Sequence, residues 1–290
     1  MQLDAYTSYL SAILAANQTE AGAAWLHKQI ASLHSEKAFY LAFSQVPRFV
    51  GKRLLQLTAD QLAEAAQLRL GFNPGLWTVD QAARTLLLLQ VPHHTSPEYA
   101  CLLKELFSVA DLSELATLYA ALPLLPYPES HRERAAEGVR TTMTSVFDAI
   151  ALNNPYPHDY LPTEAWNQMV LKAVFNARPI HRIYGLDNRR NAALAHMLID
   201  YAHERWAAGR ALTPEVWRLV GPYLTADNMP DVERLFQSSN ELENQAGALA
   251  LAESNSPEIK DMLSQHADIE MKIRSGDFTW QSIGERAYKA

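Results

Sequence analysis

The feature that most constrains this chain is the punctuation of its helix starts. Three sites place a hydroxyl residue before Pro and Glu: Ser96-Pro97-Glu98, Thr213-Pro214-Glu215 and Ser256-Pro257-Glu258. The hydroxyl satisfies a free backbone N–H, proline suits the first helical position, and glutamate meets the positive helix end. Three more starts read as reciprocal capping boxes, at Thr58/Gln61, Thr78/Gln81 and Asp111/Glu114. Between such signals apolar residues recur at helical spacing. Tyr6, Leu10, Ile13 and Leu14 make one stripe; Leu26, Ile30 and Leu33 make another. The sequence shows no sustained alternation and no Asn-Gly or Asp-Gly hairpin turn. It therefore predicts an all-α fold of roughly fourteen helices with short links.

Short links make consecutive helices antiparallel neighbours. In segment 238–263 a helix dense in alanine, with Ala246, Leu249, Ala250 and Glu253 on one face, precedes a Ser/Asn turn and a second amphipathic helix. That resembles one unit of a HEAT-like stack of antiparallel helix pairs. No strict period accompanies it, so the expected architecture is an irregular α-solenoid or helical bundle. Two proline-rich breaks occur, at 122–130 and 153–162. The first suggests halves of 1–125 and 126–290, or one continuous domain.

Composition excludes several functions. The net charge of −7 disfavours general nucleic-acid binding, which needs a basic face. The single cysteine, Cys101, rules out an internal disulfide and a cysteine-rich metal site. Its helical context predicts a buried small hydrophobe. The first residues lack a basic region and an export cleavage pattern. The longest apolar stretch, Thr85 to Val91, is far too short to span a bilayer. A cytoplasmic location is the default expectation. One window departs from the acidic average: residues 172–218 hold eight Lys/Arg and four acids.

That window contains YGLDNRRNAALAHMLIDYAHERWAAGR, residues 184–210. Asp187 reads as an N-cap, with a helix to about Ala208 and Gly209 closing it. Leu194, Leu198 and Tyr201 form its apolar stripe, and His196, Asp200 and His203 lie opposite, flanked by Ile199 and Trp206. Imidazoles, one carboxylate and alanines are an unusual solvated face. The three are therefore candidate catalytic residues lining a cavity; the plainer reading is that they bond to neighbouring helices. A metal is not expected. His196 and His203 are about 10 Å apart along the axis, so an ion would need an adjacent pair plus distant ligands such as His158 or His181.

Arg189 and Arg190 fall in the expected first turn, where the helix dipole disfavours cations. With Arg178 and His181, and Arg182 beside them, they are candidate anion-binding residues. The plainer reading is ion pairing with surplus carboxylates. Arg205 falls within the apolar stripe, so it must be paired or cap a carbonyl. No GxxxxGK[ST], GxGxxG or GxSxG occurs, and His203-Glu204 is not followed by a second histidine at metalloprotease spacing. His158-Asp159 resembles the dyad of helical metal phosphohydrolases, but lies among prolines. His93-His94 reads as a turn. The sequence names no cofactor.

The segments NNPYPHDYLPTEAWNQMVLKAVF, YGLDNRRNAALAHMLIDYAHERWAAGR and ALTPEVWRLVGPYL resemble the signature region of the EboA family. The likeness covers about residues 153–224. It implies a place in a bacterial gene cluster of specialised metabolism, beside products resembling a prenyltransferase, a sugar-phosphate cyclase, a metal-dependent hydrolase and a sugar isomerase. It supplies no catalytic residues.

Two readings follow. One is a helical accessory protein that binds a partner from that pathway, or an anionic metabolite, through residues 181–205. The alternative is an enzyme acting on a phosphorylated or carboxylated metabolite. Arg189 and Arg190 would then hold the anion, and His196 or His203 would move a proton with Asp200 fixing the imidazole.

Overall fold

The computed structural model describes residues 2–92, 95–264 and 267–289; the His93-His94 pair lies outside them. Among the described residues there are eighteen α-helices and no strand, with one isolated antiparallel bridge between Leu54 and Thr78. No helix there is long and apolar enough to cross a membrane. The chain forms two compact units, Met1–Pro162 and Thr163–Ala290.

Unit 1 holds α1 (Gln2–Asn17), α2 (Glu20–Ala31), α3 (Glu36–Val50), α4 (Ala59–Leu68), α5 (Val79–Gln90), α6 (Ser96–Val109), α7 (Leu112–Ala121), α8 (Arg132–Gly138), α9 (Thr144–Ala151) and α10 (Tyr156–Tyr160). Unit 2 holds α11 (Thr163–Phe175), α12 (Ala192–Ala207), α13 (Trp217–Val220), α14 (Met229–Gln237), α15 (Glu241–Ala252), α16 (Pro257–Leu263), α17 (Ala267–Ser275) and α18 (Trp280–Lys289). Four of the eighteen, α8, α10, α13 and α16, are short. These have seven, five, four and seven residues, too few turns to display a period.

The capping boxes form as read. Thr58 and Gln61 exchange bonds of 3.0 and 3.2 Å, and Asp111 and Glu114 bonds of 3.0 and 2.8 Å. Gln81 accepts from the Thr78 N–H at 2.9 Å. Ser256 caps α16 by accepting from Ile259 N. Two starts differ. The cap of α6 is Thr95, one residue earlier than Ser96, because Thr95 can pair reciprocally with Glu98 at N3. Thr213 makes no side-chain cap, and Pro214–Val216 form a 3-10 turn before α13.

In unit 1, α1, α2, α3 and α7 all pack on α5. That is why every residue of α5 from Val79 to Leu89 except Gln81 is buried. A guanidinium sits inside it. The Arg84 side chain is 1% exposed, bonds to Asp80 at 3.0 Å and to the Phe43 carbonyl at 3.1 Å, and reaches Ser113 and Glu114. Its carbon lies 5.3 Å over the Phe43 ring. The proline-rich stretch 122–130 lies within this unit. It does not behave as a linker, because Leu122, Pro123, Leu124 and Leu125 are buried. Cys101 is exposed, contrary to expectation: α6 buries Tyr99, Leu102, Leu103, Leu106 and Phe107, and residue 101 falls on the opposite side.

In unit 2, α15 is the helix that α13, α14, α16, α17 and α18 all touch. Its small residues permit this. A Cβ on Gly221 would stand 2.9 Å from the Ala250 Cα, so glycine and the alanine-rich face meet backbone to backbone. The contacts α14–α15 and α15–α16 join sequence neighbours, whereas in unit 1 α1 and α3 reach past their neighbours onto α5.

Candidate functional site

Helix α12 starts later than expected. Asn191 is its N-cap, accepting from Leu194 N at 3.0 Å, and Asp187–Arg189 form a separate 3-10 turn. Asn191 also exchanges amide bonds with Asn167 of α11, at 3.1 and 2.8 Å. That pairing fixes the start in preference to Asp187. Arg189 and Arg190 therefore precede the helix instead of lying in its first turn, which removes the conflict with its dipole.

Of the expected anion-binding residues, Arg190 and His181 stand beside carboxylates. Arg190 is bonded to Glu253 and to the Arg218 carbonyl, and Arg218 is held by Asp187 at 2.7 and 2.6 Å. Arg189 lies 4.8 Å over the Trp166 ring. Arg178 closes α11 through its backbone N–H to Ala173. The His181 and Glu215 side chains are each 3% exposed, with Nδ1 and Oε2 3.6 Å apart. Gly284 of α18 seals them in, since a Cβ there would stand 2.7 Å from His181 Nδ1. Burial alone would raise the Asp187 carboxyl, but the Arg218 hydrogen bonds and charge, aided by Arg190, hold it below its ordinary value. At Arg218 burial acts to lower the pKa, and the Asp187 hydrogen bonds and charge, aided by Glu215 and Glu253, outweigh it and raise it. The Glu253 carboxylate also accepts from the Trp280 indole at 2.9 Å. These groups hold one another.

The expected catalytic face is corrected in part. His196, Asp200 and His203 are all exposed, so this face looks onto solvent and not into a hollow. Asp200 does not orient an imidazole. The partner of His203 is Asp231 of α14, with Nε2 and Oδ1 2.8 Å apart. His158 pairs with Asp159 at 2.6 Å on the short helix α10. Among the described residues no group of three or more His, Cys, Asp and Glu could hold a metal ion.

What the sequence did not single out is a cleft at the far end of α12. Gly209, at φ +62°, ends the helix as expected. The chain then folds back, and Arg205 locks the turn by donating to the Ala211 carbonyl at 3.1 and 2.8 Å, the capping role read from its position. This turn and the last turn of α14 enclose a cleft of about 450 Å³ lined by Trp206, Arg210, Leu212, Arg234, Gln237 and Glu243, among others. The volume is that of a small-molecule site. Trp206 stacks on buried Trp217 with ring centroids 5.8 Å apart, and the Arg234 guanidinium lies 4.6 Å over its ring. Trp217, Trp206 and Arg234 thus form one column. Stacking holds Arg234 through its face and leaves its in-plane N–H groups available. Neither Arg234 nor Arg210 has a carboxylate within ion-pair distance among the described residues.

The cleft is not purely cationic. Glu243 lines it, and α12 and α14 both end there, which brings partial negative charge. Much of that is already engaged. Asn244 donates to the Leu235, Phe236 and Ser238 carbonyls at 2.7, 3.2 and 3.1 Å. The arrangement offers two guanidiniums to an anionic group, and acceptors to hydroxyl or amino donors on the same molecule. Arg210 lay in the basic window, and Trp206 flanked the polar face. Arg234 and Gln237 come from another helix and carried no local signal.

Fold and site define an all-helical protein with a mixed-polarity, ligand-sized cleft in its second unit. A family model described as metabolite traffic protein EboA matches residues 6–221, and the chain belongs to the EboA family. The match reaches well into unit 1, beyond the segments that first carried the likeness. It includes Trp206 and Arg210 and stops before Arg234. Neither a curated protein nor a solved structure matches the chain.

Proposed function

We propose that this EboA-family protein binds a small polar metabolite bearing a carboxylate or phosphate, and passes it to or from a partner protein. The observation that carries this reading is the Arg234 guanidinium, stacked on Trp206 and without an acidic partner among the described residues, beside Arg210 in a cleft of ligand size. Arg234 and Arg210 take the anionic group; Glu243 and Gln237 take its hydroxyl or amino donors. The family description as a traffic protein supports binding over chemistry. Calorimetric titration with phosphorylated and carboxylated small molecules tests it. Arg234→Ala should weaken binding roughly ten- to a hundredfold while the melting temperature is kept. Equal binding by the variant overturns the assignment.

One observation favours the enzymatic alternative. The His203–Asp231 pair stands one helical turn before Trp206, with ring centroids 6.0 Å apart. A base oriented by a carboxylate is suited to proton transfer. If it acts, His203→Gln leaves ligand affinity unchanged and stops turnover of a bound metabolite.

A further inference from the structure

Helix α14 borders two concavities, the second with more apolar residues in its lining. One side faces the cleft just described. The other carries a groove of about 280 Å³ lined by Met229, Val232, Phe236, Leu251 and Met262, with Glu233 and Gln237. Gln237 lines both, so the two concavities meet at the last turn of α14. At 100° per residue, Arg234 and Gln237 lie next to each other on the helix, Gln237 lies next to Glu233, and Glu233 lies next to Phe236. A ligand passing Gln237 therefore leaves guanidinium and enters thioether, phenyl and aliphatic surface. Methionines suit such a groove because their unbranched side chains repack around varied apolar shapes. Met229, Phe236 and Met262 are each partly exposed, so the groove is open. Glu233, charged and exposed on its lining, repels a second anion and favours placing the acidic end on the Arg234 side.

From this continuity we propose that the ligand of the cleft is a soluble amphiphile. Its anionic head would lie on Arg234 and Arg210, and its apolar body would run past Gln237 into the Met229–Phe236–Met262 groove. The inference rests on the metabolite-binding reading and specifies its ligand class.

Titration of the full chain with ethyl, hexyl and decyl phosphate, kept below their aggregation concentrations, tests it. Each fully buried methylene is worth about fourfold in affinity, so hexyl phosphate should bind at least about tenfold tighter than ethyl phosphate. Met229→Gln and Met262→Gln should flatten that gradient without changing the affinity for ethyl phosphate, whereas Met262→Leu should retain it. Ethyl phosphate binding through Arg234 with no dependence on chain length overturns the groove and leaves the metabolite reading standing. A gradient untouched by both glutamine variants also overturns the groove. Failure of every phosphate and of the matching carboxylates overturns both. Decyl phosphate bound only when embedded in phosphatidylcholine vesicles overturns a soluble amphiphile in favour of a membrane surface.

Discussion

Arg84 in unit 1 and Arg234 in unit 2 are built on the same local device and end in opposite roles. Each guanidinium lies over an aromatic ring, Phe43 at 5.3 Å and Trp206 at 4.6 Å. Arg84 is 1% exposed, and its donors are spent on Asp80, Glu114, Ser113 and a carbonyl. Burial lowers its pKa, with Asp80 and Glu114 opposing. Arg234 keeps only its ring, beside a cleft. A stacked arginine is thus structural where its edge is consumed and receptive where its edge is left open.

The largest expected effect tests the structural half of that contrast. Arg84→Ala strands the Asp80 carboxylate, whose side chain is 2% exposed, and should cost about 3–5 kcal/mol by chemical denaturation. A loss below about 1 kcal/mol would break the comparison. Next comes the receptive half. Arg234→Ala should weaken the bound anion by roughly ten- to a hundredfold, as charge-assisted hydrogen bonds do, and leave stability nearly unchanged. Arg210→Ala should behave alike and more weakly.

Acid should act on the two units in different ranges. Burial holds the His131 imidazole of unit 1 below its ordinary value, with the Pro126 carbonyl opposing. Its contribution is complete above about pH 6.5 and is lost as pH falls toward the lower folded value. Asp187 of unit 2 is also held low, so its contribution is complete above about pH 3.9 and is lost only below that. Denaturation across pH should show His131→Gln flattening the upper limb and Asp187→Asn the lower. A single limb common to both variants would contradict the assignment.

The smallest effect concerns backbone. Ala177 ends α11 at φ +50°, where Asn153 in unit 1 occupies a similar conformation more readily. Ala177→Gly should stabilise unit 2 by about 0.5 kcal/mol in thermal melts, once relief of strain is set against glycine's greater unfolded freedom.

The candidate site was legible only in fragments. The sequence drew attention to α12 through His196, Asp200 and His203, whereas the proposed cleft lies at the end of that helix. In the expected stripe Leu194 and Leu198 are buried and Tyr201 is partly so, while His196, Asp200 and His203 opposite it are exposed. Asp200 was expected to fix the imidazole of His196 or His203, whereas the fold supplies His203 with Asp231 from 28 residues away. The basic window was real, but Arg190 and Arg218 are neutralised by Asp187, Glu215 and Glu253.

By itself the sequence determined what depends on neighbours within a few residues: the all-helical class, the capping boxes, the Gly209 stop and the tight approach allowed by the alanines of α15. The first three rest on hydrogen bonds or sterics spanning one helical turn, and the last on side-chain size alone. Only the tertiary structure decided which arginines are spent and which remain. That depends on whether a distant carboxylate arrives within about 4 Å, and no local pattern encodes the meeting of α12, α14 and α16 around a cleft and a groove.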